Sequence, residues 1–331
     1  MSFTVTFAPT AGTLSSSAGT TLCPGNTTTV SATGTTGGTW SSDNSTVLSI
    51  DAAGNATAGT AGSATIKYVV SNTCGADSNT LAFTVNPAPV AGTITGTASV
   101  CGTASSALAS TGDAGGVWSS DNSSVATVDA STGSVTGVAT GTANIQYKVT
   151  NSCGADSVSV SFTVTFAPTA GTLSSSAGTT LCPGNTTTVS ATGTTGGTWS
   201  SDNSTVLSID AAGNATAGTA GSATIKYVVS NTCGADSNTL AFTVNPAPVA
   251  GTITGTASVC GTASSTLAST GDAGGVWSSD NSAVATVDAS TGSVTGVTDG
   301  TANIKYKVTN SCGADSVSVS FTVTSAPTAG T

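Results

Sequence analysis

The octapeptide Phe7-Ala8-Pro9-Thr10-Ala11-Gly12-Thr13-Leu14 returns 159 residues later as Phe166-Ala167-Pro168-Thr169-Ala170-Gly171-Thr172-Leu173. Self-similarity at a fixed period constrains a fold more than any local signal, because every repeat has to solve the same packing problem. Aligned from Ser2 and Ser161 onward, the two long repeats differ at six positions: Ala107/Thr266, Ser124/Ala283, Ala139/Thr298, Thr140/Asp299, Gln146/Lys305 and Phe166/Ser325. None of these changes disturbs a core. Each long repeat holds two diverged units, since Ala8-Pro9-Thr10-Ala11-Gly12 recurs as Ala88-Pro89-Val90-Ala91-Gly92 and again at Ala167, Ala247 and Ala326, at spacings of 80, 79, 80 and 79 residues. Trp40, Trp118, Trp199 and Trp277 mark one position per unit, and each unit carries two cysteines. Residues 8–87, 88–166, 167–246 and 247–325 are therefore expected to be four complete repeats. Residues 1–7 match the last strand of a preceding repeat and 326–331 the start of a following one. The expectation is a slice of a longer array, with Met1 as an added start.

Composition decides whether such repeats fold. Charged residues are 6% of the chain, against roughly 25% in ordinary globular proteins. Glu, Arg and His are absent, and 15 acids against 5 bases leave a net charge of −10. A nucleic acid or an anionic membrane would repel such a surface, so neither is an expected partner. Hydrophobic residues still make up 37%, and they recur at strand spacing, which separates this chain from a disordered one. No stretch approaches the roughly 18 apolar residues of a membrane helix, so no membrane insertion is expected.

The end of the second unit shows the strand period most clearly. Val158, Val160, Phe162 and Val164 alternate with Ser157, Ser159, Ser161 and Thr163, and just upstream Ala143, Ile145, Tyr147 and Val149 alternate with Asn144, Gln146, Lys148 and Thr150. Both patterns read as half-buried strands, joined by an expected hairpin turn at Cys153-Gly154-Ala155-Asp156. Val125–Val128 and Ser134–Val138 read as two more strands around an Asp129–Gly133 turn. About seven strands in about 80 residues make an all-β, two-sheet antiparallel sandwich.

The run Trp118-Ser119-Ser120-Asp121-Asn122-Ser123-Ser124-Val125-Ala126-Thr127-Val128-Asp129, followed by Gly133-Ser134-Val135-Thr136-Gly137-Val138 and Gly141-Thr142-Ala143-Asn144-Ile145, resembles the bacterial immunoglobulin-like group 2 domain. Residues Trp40 to Ile66 follow the same plan less closely, with Leu48 and Ser49 where the second unit has Ala126 and Thr127. The resemblance covers roughly the last two thirds of each unit. It implies tandem immunoglobulin-like sandwiches in a linear rod, extracellular and at the cell surface, on adhesins, invasin-like proteins and some phage structural proteins, with no enzyme activity. The opening third of each unit departs from that family, and the pairing of a Cys before the second strand with a Cys in the last hairpin is similar to repeats of giant Bacteroidota surface proteins, including gliding adhesins.

Eight cysteines without any His or CxxC pair point to disulfides in an oxidising compartment rather than to zinc. A bridge within one unit, such as Cys23 to Cys74, fits a separation of 51 or 52 residues. Strand direction argues against it. If strands A to G run alternately up and down, the A–B cysteine and the F–G cysteine lie at opposite poles, about 25 Å apart for strands of about eight residues. A disulfide needs Cα atoms within roughly 7 Å. In a head-to-tail array the A–B cysteine of one unit faces the F–G cysteine of the next. The expected bridges are Cys23–Cys153, Cys101–Cys233 and Cys182–Cys312, with Cys74 and Cys260 unpaired. Neighbouring repeats of the same chain are thus the first expected partners, with surface glycans or like chains as further ones.

No catalytic residue, cofactor site or metal site is expected. General acid–base chemistry usually shows a His or paired carboxylates, and Asp51, Asp129, Asp210 and Asp288 sit at turn positions. Asp43-Asn44 and Asp121-Asn122 lack the acid density of a calcium site. Lys67 and Lys226 alternate outward, and the four Trp residues read as core. Asp156-Ser157-Val158 and Asp315-Ser316-Val317 resemble an O-glycosylation acceptor of Bacteroidota. The expected function is a non-enzymatic stiff stalk within an adhesin or filament; the alternatives are a multivalent glycan- or surface-binding module and a phage or filament structural protein.

Overall fold

The computed structural model describes residues 1 and 3–325, so the expected start of a following repeat at 326–331 lies outside the described residues. The chain divides into two compact units, Met1–Phe166 and Ala167–Thr331. Among the described residues all regular structure is β.

The first half of unit one contains β1 (Leu14–Ser16), β2 (Thr21–Leu22), β3 (Thr27–Ala32), β4 (Thr39–Ser42), β5 (Leu48–Ile50), β6 (Asn55–Ala58), β7 (Gly62–Asn72) and β8 (Gly75–Val85). They form two four-stranded sheets, in the orders β1-β3-β6-β5 and β2-β8-β7-β4. The second half contains β9 (Ile94–Thr95), β10 (Ser99–Cys101), β11 (Ser105–Ala107), β12 (Ala109–Ser110), β13 (Val117–Ser120), β14 (Ala126–Val128), β15 (Ser134–Gly137), β16 (Gly141–Asn151) and β17 (Gly154–Thr165). One of its sheets runs β10-β17-β16-β13, and the opposite face is shared between β11-β15-β14 and β12-β9. Both halves are immunoglobulin-like sandwiches, and unit two repeats the same orders.

The expected seven strands per sandwich become eight and nine, for a local reason. The opening strand changes sheets: β1 pairs antiparallel with β3, whereas β2, a few residues later, pairs parallel with β8. In the second sandwich the next strand also breaks, at Leu108, whose buried side chain and bond from N–H to Gly133 O interrupt the ladder between β11 and β12.

The long hairpins carry each core. Along β16 every second residue is buried, from Ala143 through Ile145 and Tyr147 to Val149, and β17 lays Phe162 and Val164 against them at 0% exposure. Asn151 pairs with Gly154, so the turn is only Ser152-Cys153, and Ala155 and Asp156 already lie in β17. The expected four-residue turn is therefore too long. Two local devices tighten it: Asn151 Oδ1 accepts the Cys153 N–H at 2.7 Å, and Gly154 adopts φ +128°, a conformation open to Gly and strained for other residues.

Tyr147 closes the sandwich beside the opposite loop. Its hydroxyl donates to Asp113 O at 2.7 Å and accepts the Gly116 N–H at 2.9 Å, while its ring sits 4.7 Å from that of Trp118. Trp118 and Trp277 are buried core residues. Trp40 and Trp199 are only half-buried, with their rings 4.4 Å from those of Tyr68 and Tyr227.

Candidate functional site

The residues that distinguish this chain from a generic sandwich gather where the first sandwich hands over to the second. Buried Leu22 anchors the end of β2 and so fixes the start of Cys23. The turn that follows is closed by Cys23 N–H to Asn26 Oδ1 at 3.0 Å, Asn26 N–H to Cys23 O at 2.9 Å and Gly25 N–H to Ala58 O at 2.8 Å. From the other side, the β16–β17 turn presents Cys153. The two cysteines form a disulfide with Cα atoms 5.4 Å apart, across 130 residues of sequence. In unit two Cys182 and Cys312 do the same, again at 5.4 Å and a separation of 130.

The polypeptide crosses the junction beside the bridge. Asn86 belongs to both sides, with its N–H on Leu22 O at 2.9 Å and its side-chain amide donating to Ser152 Oγ at 3.2 Å. Asn151 donates its side-chain amide to Pro87 O at 3.0 Å. Pro87 and Pro89 fix their own φ angles, and buried Ala91 ends the crossing with its N–H on Asp156 Oδ2 at 2.8 Å. Unit two reproduces these bonds through Asn245, Asn310 and Asp315. A covalent link, two amide latches and two prolines thus restrain one short linker.

Cys101 and Cys233 are both disulfide-bonded, whereas Cys74 and Cys260 are free and exposed. The asparagines beside the bridge are not among the residues expected from the sequence. Their signal is nonetheless present, because Asn72-Thr73-Cys74-Gly75-Ala76-Asp77 recurs as Asn151-Ser152-Cys153-Gly154-Ala155-Asp156, with an asparagine two residues before and an aspartate three residues after each F–G cysteine.

The acids serve the backbone. Asp129 Oδ1 accepts the N–H and hydroxyl groups of Ser131 and Thr132, all at 2.8 to 3.0 Å. The Ser131 hydroxyl above all, with the Thr132 N–H next, holds the Asp129 carboxyl well below the usual carboxylate range, and Asp288 is held likewise by Ser290 and Thr291. Asp121 accepts both the backbone and the side-chain N–H of Asn144, at 2.7 and 2.8 Å, and Asp43 accepts the Thr65 N–H at 2.7 Å. Lys67 and Lys226 point to solvent.

The family model of the bacterial Ig-like domain (group 2) matches residues 81–162 and 240–321, once in each unit, from within the closing strand of the first sandwich through most of the second. No curated protein matches the chain. Among solved structures, the surface layer protein SbsC, domains 1–6, is 16% identical over 97% of this chain and 55% of that one, with a TM-score of 0.25. This chain therefore spans about half of that structure. An I-band fragment of titin is 16% identical over 72% of this chain and 98% of its own, with a TM-score of 0.42. The eight N-terminal Ig domains of the Down syndrome cell adhesion molecule are 12% identical over 93% and 48%, with a TM-score of 0.34. Among the described residues no helix is long and apolar enough to cross a membrane.

Proposed function

We propose that this chain is a non-enzymatic structural repeat region of a long bacterial cell-surface adhesin or filament, working outside the cell as a stiff stalk. The observation that carries the reading is the covalent bridge between the consecutive sandwiches of a unit. A string of sandwiches joined only by short linkers bends at every joint, since domain motion is the default where interfaces are small. A disulfide at one side of the joint, with amide latches beside it, opposes that bending. Closing a loop of this length also constrains the unfolded chain, by about 5 kcal/mol on the entropic account. Small sandwiches of limited core benefit from such a staple. The bridge further requires an oxidising compartment, which agrees with an extracellular place, and the group 2 domain matches agree with a bacterial source.

Electron microscopy of single molecules tests this reading. The distribution of bend angles at the joint within each unit is expected to be narrow in the oxidised chain and clearly broader once Cys23, Cys153, Cys182 and Cys312 are all serine. Equal distributions would remove the case for a stiff stalk. A glycan array probed with the same chain addresses the alternative, and saturable binding there would favour a multivalent binding module.

A further inference from the structure

Trp118 does more than fill the core of the second sandwich. It forms one wall of a cavity of about 300 Å³ that is also bounded by Ser110, Asp113, Ser131, Thr132 and Tyr147, and Trp277 stands in a cavity of about 350 Å³ with the equivalent residues of unit two. Both indoles are 5% exposed. An indole N–H can only donate, and among the described residues those of Trp118 and Trp277 find no acceptor in the protein. Among the same residues no enclosed side-chain nitrogen or oxygen is left without a partner, so each of these N–H groups opens into the space beside it. Gly133 keeps it uncovered, since a β-carbon there would stand 2.9 Å from Trp118 Nε1.

The rest of the wall supplies the complementary chemistry. Asp113 Oδ2 accepts the Val90 N–H at 2.9 Å, which leaves Oδ1 without a donor among the described residues. The Ser131 and Thr132 hydroxyls give their protons to Asp129 and keep lone pairs. Among the described residues no lysine lines either cavity, so nothing there neutralises an anion. A cation would satisfy Asp113 and leave the indole N–H unpaired. A neutral molecule with neighbouring hydroxyls serves both, because one hydroxyl accepts from the indole while the next donates to the carboxylate. The volume lies at the low end of the roughly 300–1,000 Å³ of small-molecule sites, which suits a single sugar ring.

These polar groups belong to the second sandwich of each unit. Ala109-Ser110-Thr111-Gly112-Asp113-Ala114-Gly115-Gly116-Val117-Trp118 aligns with Ser31-Ala32-Thr33-Gly34-Thr35-Thr36-Gly37-Gly38-Thr39-Trp40, so Ala32 stands for Ser110 and Thr35 for Asp113. The turn Asp129-Ala130-Ser131-Thr132-Gly133 aligns with Asp51-Ala52-Ala53-Gly54, which carries no hydroxyl. The first sandwich therefore keeps the Trp–Tyr pair and lacks the carboxylate beside it.

We propose that the second sandwich of each unit binds one neutral sugar residue, of the kind that ends a glycan chain. Trp118 Nε1 donates to one hydroxyl and Asp113 accepts from its neighbour, and Trp277 and Asp272 do the same in unit two. The site goes beyond the stalk reading and does not rest on it.

The test follows the four indole N–H signals of the isotopically labelled full chain by NMR during titration with the methyl glycosides of glucose, galactose, mannose and N-acetylglucosamine, whose methyl group stands for the rest of a glycan. At least one of these is expected to shift the Trp118 and Trp277 signals saturably and to leave those of Trp40 and Trp199 in place. Asp113→Asn retains an acceptor for the Val90 N–H and is expected to weaken the Trp118 response about tenfold, the loss of one hydrogen bond to a charged group, while Trp277 responds as before and reports that the chain is folded. No saturable shift with any of the four glycosides, equal shifts at all four indoles, a response to tetramethylammonium instead of the sugars, or an Asp113→Asn variant that responds like the wild type would each overturn the proposal. Bend angles are measured without sugar, so the stalk reading stands or falls separately.

Discussion

Stretched from its ends, the oxidised chain is expected to stop extending long before its contour length is used, and a reductant is expected to release the remainder. Each staple removes the 130 residues between its cysteines from the load path. At about 3.5 Å per extended residue, that is about 450 Å for each staple. Load entering unit one passes along the opening strand to Cys23, across the sulfur–sulfur bond and out through β17. The interiors of both sandwiches are bypassed. Force spectroscopy at constant load reads this directly: no unfolding step near 450 Å in the oxidised chain, and two such increments after reduction. A stalk that resists extension under shear needs this property, and hydrogen-bonded strands alone supply it only until they peel apart. Full extension without reductant would show that load does not travel through the bridges.

The second large effect is expected in the core. Phe162→Ala removes a phenyl ring that is 0% exposed, packed over Ala143, Ile145 and Val164, and cavities of this kind cost about 3–5 kcal/mol. That is a large share of the roughly 5–15 kcal/mol that holds a domain together. Phe166→Ser, four residues on, imitates the natural difference at Ser325 at a position that is 36% exposed, and is expected to stay within about 0.5 kcal/mol. Hydrogen exchange read by mass spectrometry separates the two cases. Peptides of β16 contain Gln146, whereas their counterparts in unit two contain Lys305, so the intact fourth sandwich serves as the reference within the same molecule. Amides of β16 should lose protection in Phe162→Ala and keep it in Phe166→Ser. Similar loss in both would mean that the inner face of β17 has been assigned wrongly.

How much of this was legible depends on element length. The long strands β16 and β17 each show four or more turns of alternation, enough to identify the inner face residue by residue, and Ala143 to Val149 are buried as their pattern requires. The short strands show none. A two-residue strand such as β2 has no period, and its parallel pairing with β8 is set by where the rest of the sandwich places that edge. The crossing of the opening strand between sheets was therefore invisible, and the strand count came out low. The expected turn over Cys153–Asp156 is too long because Asn151 already pairs with Gly154, and the bond from the Cys153 N–H to Asn151 Oδ1 sets the tight point at Ser152-Cys153.

The junction was half legible. Cysteine positions and strand direction are both properties of the sequence, and they suffice to ask which cysteines share a pole. The amide latches are not of that kind. Asn86 and Asn151 read as ordinary turn and linker residues, and their role appears only once the linker carbonyl of Pro87 and the Ser152 hydroxyl lie beside them. Asp156 is similar: its place in an Ala-Asp-Ser run suggests a turn, while its carboxylate holds the Ala91 N–H at the far end of the crossing. Repetition of the Asn-x-Cys-Gly-Ala-Asp motif is the one trace such residues leave in the sequence.

Tryptic mapping without reduction tests the staple most directly. Cleavage after the five lysines yields fragment 1–67 with Cys23 as its sole cysteine, 149–226 with Cys153 and Cys182, and 308–331 with Cys312 alone. Stapled sandwiches predict that these three fragments migrate as one disulfide-linked species and separate on reduction. Recovery of 1–67 linked to 68–148, which carries Cys74, would contradict the account at its centre.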